Sequence, residues 1–174
     1  MLTKNFKNFI KELKGFYKET YEDIVNSIER IESVIQKNEK NEIKHLSRSF
    51  REILEITLNK FNEYFNLNLF NDEKISSSKK INLINEKYDL GINVKNSLYN
   101  IKNYSNSLSH FENRKNIDVK YSYTEDIHSL ITVTRDIWIF LDYIFSKINT
   151  KNHNNKKYEF DINVYKKRWW RRYK

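Results

Sequence analysis

The sequence predicts a mainly α fold, a helical bundle of about five helices with a small two-stranded β-ribbon. Three observations carry this expectation. Apolar residues recur at three- and four-residue spacing over long segments, as on amphipathic helices. Only two short segments alternate apolar with polar residues as half-buried strands do. The 174 residues, 39% hydrophobic and 15% aromatic, supply enough buriable area for one core.

The first element places Phe6, Phe9, Leu13, Phe16, Tyr17, Ile24, Ile28, Ile31 and Ile35 on one stripe, predicting a long N-terminal helix over about 2–37. Unbroken, it would be about 54 Å long, against a compact domain of about 40 Å. The segment therefore breaks, with Gly15 the weakest helix former in it, or projects beyond the core. A second helix over 41–66 buries Ile43, Leu46, Phe50, Ile53, Leu54, Leu58, Phe61 and Phe65. After a polar loop, Ser76 to Ser78 can cap a short helix running to about Tyr88. Gly91 fits a helix C-terminal position. A fourth helix follows over about 93–109 and a fifth from Thr124 to Ile148, with Ile127, Ile131, Trp138, Leu141, Ile144 and Phe145 on its stripe. The alternating segments, Ile117 to Tyr123 and Tyr158 to Val164, would form the ribbon. The chain thus divides into a helical bundle over 1–150 and a basic, aromatic C-terminal strand and tail over 151–174.

Composition excludes several classes of function. There is no Cys, hence no disulfide framework and no thiolate chemistry. His45, His110, His128 and His153 have no zinc-ligand spacing, and two Gly leave neither a dinucleotide fingerprint nor a P-loop. No cofactor and no metal are expected. The charged start is no signal peptide and no apolar run is long enough to span a bilayer, so a soluble, cytoplasmic protein is expected. The chain has 24 Asn, 24 Lys and 21 Ile but no Ala or Pro. An AT-rich genome accounts for this, so abundant Lys and Asn say little about partners.

The tail is a different matter. Residues 151–174 hold nine Lys and Arg against two acids, out of a whole-chain net charge of +9. Lys166, Lys167, Arg168, Trp169, Trp170, Arg171 and Arg172 interleave cations with rings, which suits single-stranded nucleic acid, since cations follow phosphates and rings stack on bases. An anionic membrane surface or an acidic protein would suit the same string, and docking of a tail Trp on the bundle is the purely structural alternative. The fourth helix carries a second polar set, KNYSNSLSH at 102–110. At 100° per residue Asn103 and His110 fall about 20° apart, Asn106 and His110 about 40°, and Lys102 about 80° away, within reach of a long side chain.

Three segments, SRSFREILEITLNKF, KKINLINEKYDLGINVKNSLYNIKNYSNSLSHF and TEDIHSLITVTRDIWIFLDYIF, together resemble the HEPN superfamily of helical, nucleic-acid-directed domains. The similarity covers about residues 46–146 and is nearest to its abortive-infection and domain-of-unknown-function branches. There an Arg–Glu helix precedes an I-R-x-x-G-N-x-x-x-H segment and a long apolar helix. Arg51 and Glu55 match the first element. Ile101, Asn106 and His110 match the second, with Lys102 at its Arg position and Ser105 at its Gly position. The resemblance implies metal-independent RNA cleavage by a dimer, with His110 moving the proton, Lys102 supplying charge, and Asn103 or Asn106 positioning phosphate or the imidazole ring. A His near its ordinary pKa and a cation beside the phosphate suit attack by a ribose 2′-hydroxyl. Lys in place of Arg lacks the bidentate fork, so a noncatalytic HEPN-like nucleic-acid-binding or interaction module is the alternative, and a membrane-surface accessory role a further one. Arg51 and Glu55 are expected to form an intrahelical ion pair, or to orient the helix that carries His110. The expected partners are RNA, a second copy of the chain, and a protein from a neighbouring gene; the expected biological setting is a toxin or phage-defence system.

Overall fold

The computed structural model describes residues 4–70, 74–112 and 126–149, without the side chains of residues 4, 5, 7 and 110–112. Its architecture is a mainly α bundle. The helices are α1 (Lys4–Glu12), α2 (Lys14–Tyr17), α3 (Tyr21–Lys37), α4 (Ser47–Tyr64), α5 (Ser77–Tyr88), α6 (Gly91–Glu112) and α7 (Ile127–Ile148), with 3-10 turns at Lys18–Thr20 and Lys40–Leu46. No strand occurs among the described residues; the expected ribbon over 117–123 and 158–164 lies outside them, as do Thr124 and the tail.

The N-terminal stripe does not form one helix. It is interrupted at Leu13 and again at Lys18–Thr20, while Gly15 lies inside α2. The second interruption has Lys18 at φ 50°, and the Thr20 hydroxyl closes it by donating to the Tyr17 carbonyl at 2.8 Å. The break satisfies two sets of contacts that a straight rod could not. Phe6 and Phe9 pack on Trp138 of α7 at ring separations of 4.9 and 4.6 Å. Tyr17, fully buried, reaches Thr57 of α4 at 3.0 Å. Gly15 is not needed for either, because a Cβ there would meet nothing within 4 Å.

In a chain with two Gly, Asn and Asp take the left-handed positions, where their short polar side chains lower the steric penalty. Asn38 (φ 56°) ends α3, with its own amide and that of Glu39 donating back to Ile35 and Val34 in a Schellman arrangement. Asn66 and Asn68 turn the chain after α4, and Asp89 (φ 45°) ends α5. Gly91 therefore does not end a helix as its type suggests. It opens α6 at φ 75°, its amide facing the Asp89 carboxylate at 3.4 Å. The α5 start is as expected, with the Ser76 side chain accepting from the Lys79 amide at 3.3 Å.

α6 is the central helix. It packs along α7 on one side and α4 on the other, and also meets α5 and the Lys40–Leu46 turn. Leu98, Ile101 and Leu108 of α6 are buried with Phe50, Ile53 and Leu54 of α4 and Ile137 and Leu141 of α7. A polar tie crosses the α6–α7 contact: Asp136 of α7 accepts from Ser97 at 2.8 Å and from Asn100 at 3.2 Å, both on α6. Burial pushes the Asp136 carboxyl above the usual range, and the two donors offset part of that rise. No helix among the described residues is long and apolar enough to cross a membrane.

Candidate functional site

Between Asn103 and position 110, α6 presents a serine face and a neighbouring asparagine face. The first is sealed against α4. There Ser47 and Ser105 exchange bonds, each hydroxyl donating to the other's carbonyl at 3.0 Å. The Ser109 hydroxyl donates to the Ser105 carbonyl at 3.1 Å and touches the Ser47 hydroxyl. Ser47 and Ser105 are almost fully buried. Such reciprocal bonding to carbonyls holds two helix backbones at a distance that only small side chains permit. The position that the family pattern gives to Gly is Ser105, and here it occupies this close contact.

Arg51 extends this seam to the surface. It is exposed, and its guanidinium donates to the Ser109 hydroxyl at 3.2 Å. The expected Arg51–Glu55 ion pair is thereby replaced by separate partners. Glu55 turns to α5, accepting from the Ser77 hydroxyl and from Lys80 at 2.6 Å. Lys80 in turn donates to Asn59 at 2.9 Å and lies over the Phe70 ring. Lys80 is only 9% exposed while Glu55 is 29% exposed, so Glu55 serves as the partner that a nearly buried ammonium requires. The i,i+4 pair on α4 is instead Arg48 with Glu52, at 2.7 Å.

Asn103 and Asn106 are exposed on the second face of α6. His110 lies on the same helix, one residue beyond Ser109, and its wheel position falls between those of the two Asn; its side chain lies outside the described residues. Lys102 does not join them. Its ammonium donates to the Ser78 hydroxyl of α5 at 2.9 Å and sits 5.3 Å from the Tyr99 ring centre, because position 102 faces the α5 start rather than the Asn103–His110 side. The structure thus brings together Arg51, Ser47, Ser105 and Ser109, and separately Glu55, Ser77 and Lys80. Lys166, Lys167, Arg168, Trp169, Trp170, Arg171 and Arg172 lie outside the described residues.

Sequence reasoning missed the serines. The signal was present: Ser105 and Ser109 are four apart, and a third serine opens the partner helix at Ser47. His45 and His128 are exposed. Among the described residues no three of His, Asp and Glu converge as metal ligands. An open groove of about 710 Å³ lies apart from this site, between the end of α3 and the following turn, lined by Arg30, Val34, Asn38, Glu39 and Lys40 among others.

Compared with protein-family models, with curated proteins and with solved structures, the chain matches none. The likeness to HEPN domains accordingly rests on the residues of this chain.

Proposed function

We propose that this is a HEPN-like, RNA-directed protein that cleaves RNA at the exposed face of α6. The observation that supports it is two exposed amides, Asn103 and Asn106, on the side of α6 that also carries position 110, with an exposed Arg51 bonded to the neutral hydroxyl of Ser109, the residue before it. On this reading the neutral His110 imidazole takes the proton from a ribose 2′-hydroxyl. The oxygen attacks the adjacent phosphorus, the bond to the 5′-oxygen breaks, and that oxygen takes a proton from a solvent water to leave as a hydroxyl, the hydroxide so formed recovering the proton held by the imidazole. A 2′,3′-cyclic phosphate remains. Asn103 and Asn106 donate to the phosphate oxygens as charge develops on them. The reaction needs only proton transfers and charge stabilisation, and an imidazole suits the first. A toxin or phage-defence component acting as a dimer is the biological setting that the family likeness suggests.

One observation favours a second reading. Lys102, at the motif position where Arg is usual, is engaged with Ser78 of α5 rather than turned toward the Asn103–His110 side, which suits binding of RNA without cleavage. Incubating labelled RNA with the purified chain and with His110→Ala separates the two. Cleavage lost in the variant supports the first reading; binding without cleavage in both supports the second.

A further inference from the structure

The acids of α4 are each paired with a cation of the chain itself. Glu52 is taken by Arg48 and by the Ser27 hydroxyl, Glu55 by Lys80, and Glu63 by Lys60. Arg51, on the same helix, bonds a hydroxyl instead. Lys102 on α6 likewise bonds the Ser78 hydroxyl and lies over a tyrosine ring. A hydroxyl orients a cation without neutralising it, which leaves its charge for an anion outside the fold. The two cations also share one stripe. Arg51 is fixed at the level of Ser109, and positions 102 and 109 lie about 20° apart on the wheel and about 10.5 Å apart along the axis. The exposed Asn106 lies between those levels, about 40° from Lys102.

We infer that Arg51 and Lys102 grip two separate phosphates of one single-stranded RNA, which runs along α6 past Asn106. This inference rests on the RNA-directed reading above and adds to it the backbone-binding residues and the direction of the track. The two cations are anchored at positions two helical turns apart on α6, a spacing that suits two phosphates of one strand better than a lone phosphate ion. Arg51, at the end nearest His110, supplies the fork that Lys at position 102 lacks. It is contributed by α4 rather than by α6. The serine seam positions it.

The test is the salt dependence of binding by the full chain to a 2′-O-methyl oligouridylate of about 12 nucleotides, within the site sizes of single-strand binders and resistant to 2′-hydroxyl cleavage. Arg51→Gln and Lys102→Gln remove the charge and leave a shorter, polar side chain. Each is expected to lower the magnitude of the log–log salt slope by about 0.7, and the double variant by about 1.4, with the thermal transition preserved. Arg51→Lys restores the slope, which a purely structural role would not require. Binding by the wild-type chain with slopes unchanged in all three Gln variants would overturn the two-cation track while leaving the RNA reading in place. No binding by the wild-type chain would overturn both.

Discussion

Ser105→Leu is the perturbation that most directly probes the α4–α6 seam. The Ser105 hydroxyl donates to the Ser47 carbonyl at 3.0 Å, its own carbonyl accepts from Ser47 and Ser109, and the residue is 2% exposed. Ser105→Ala removes one buried hydrogen bond and adds no bulk, at a cost of about 1 kcal/mol. Ser105→Leu loses the same bond and inserts three further carbons between two helices already in contact, adding about 1–3 kcal/mol of overpacking. For a chain of this length 1 kcal/mol moves Tm by about 2–4 °C. The expected falls are therefore about 2–4 °C for Ser105→Ala and about 4–16 °C for Ser105→Leu. Thermal unfolding followed by far-UV circular dichroism, with urea unfolding alongside, reads both. Equal falls for the two variants would refute a tight serine contact, since bulk would then have cost nothing.

Three further outcomes are expected, two from the structure and one from the sequence of the tail. Phe9, fully buried against Trp138 and Phe145, anchors α1, so Phe9→Ala should cost about 3–5 kcal/mol in urea unfolding; a loss under 1 kcal/mol would mean α1 is not docked. The raised pKa of Asp136 means that the fold favours its protonated form, so its contribution is fully present below the ordinary Asp range and is lost as pH rises through the raised value. Acidification from about pH 7 to about pH 4 should shift the stability difference between wild type and Asp136→Asn toward wild type, and a pH-independent difference would contradict this. Deleting residues 166–174 should lower the magnitude of the RNA salt slope by about 3.5, for about five tail contacts at 0.7 each, leaving the share carried by Arg51 and Lys102; an unchanged slope would remove the tail from the binding surface.

Much of the bundle was legible in the sequence, and for a physical reason. Apolar stripes report burial, and burial is what α4, α6 and α7 share. Where hydrophobic periodicity is silent, reading failed. It cannot register that Tyr17 and Phe9 must satisfy different helices, so the interruption at Lys18–Thr20 was invisible while Gly15 drew attention for its propensity alone. Residue type misplaced Gly91 because Asp89 fills the left-handed position that would have gone to a glycine. The site was legible only as a set of residues. The wheel grouped Asn103, Asn106 and position 110 on one face, but the direction taken by long side chains depends on neighbouring helices. Lys102 went to Ser78, and Glu55 left Arg51 for Lys80, once α5 packed alongside. That choice is tertiary, and spacing within one helix does not encode it.

The most direct measurement is cleavage of end-labelled total RNA by the purified full-length chain in excess EDTA, beside a His110→Ala variant of matching circular dichroism. Discrete cleavage by the wild-type chain is expected, with a loss of about 100-fold or more in the variant, the scale of a removed general base. A folded wild-type chain that leaves RNA intact, or a variant that cleaves as fast as wild type, would contradict RNA cleavage at His110.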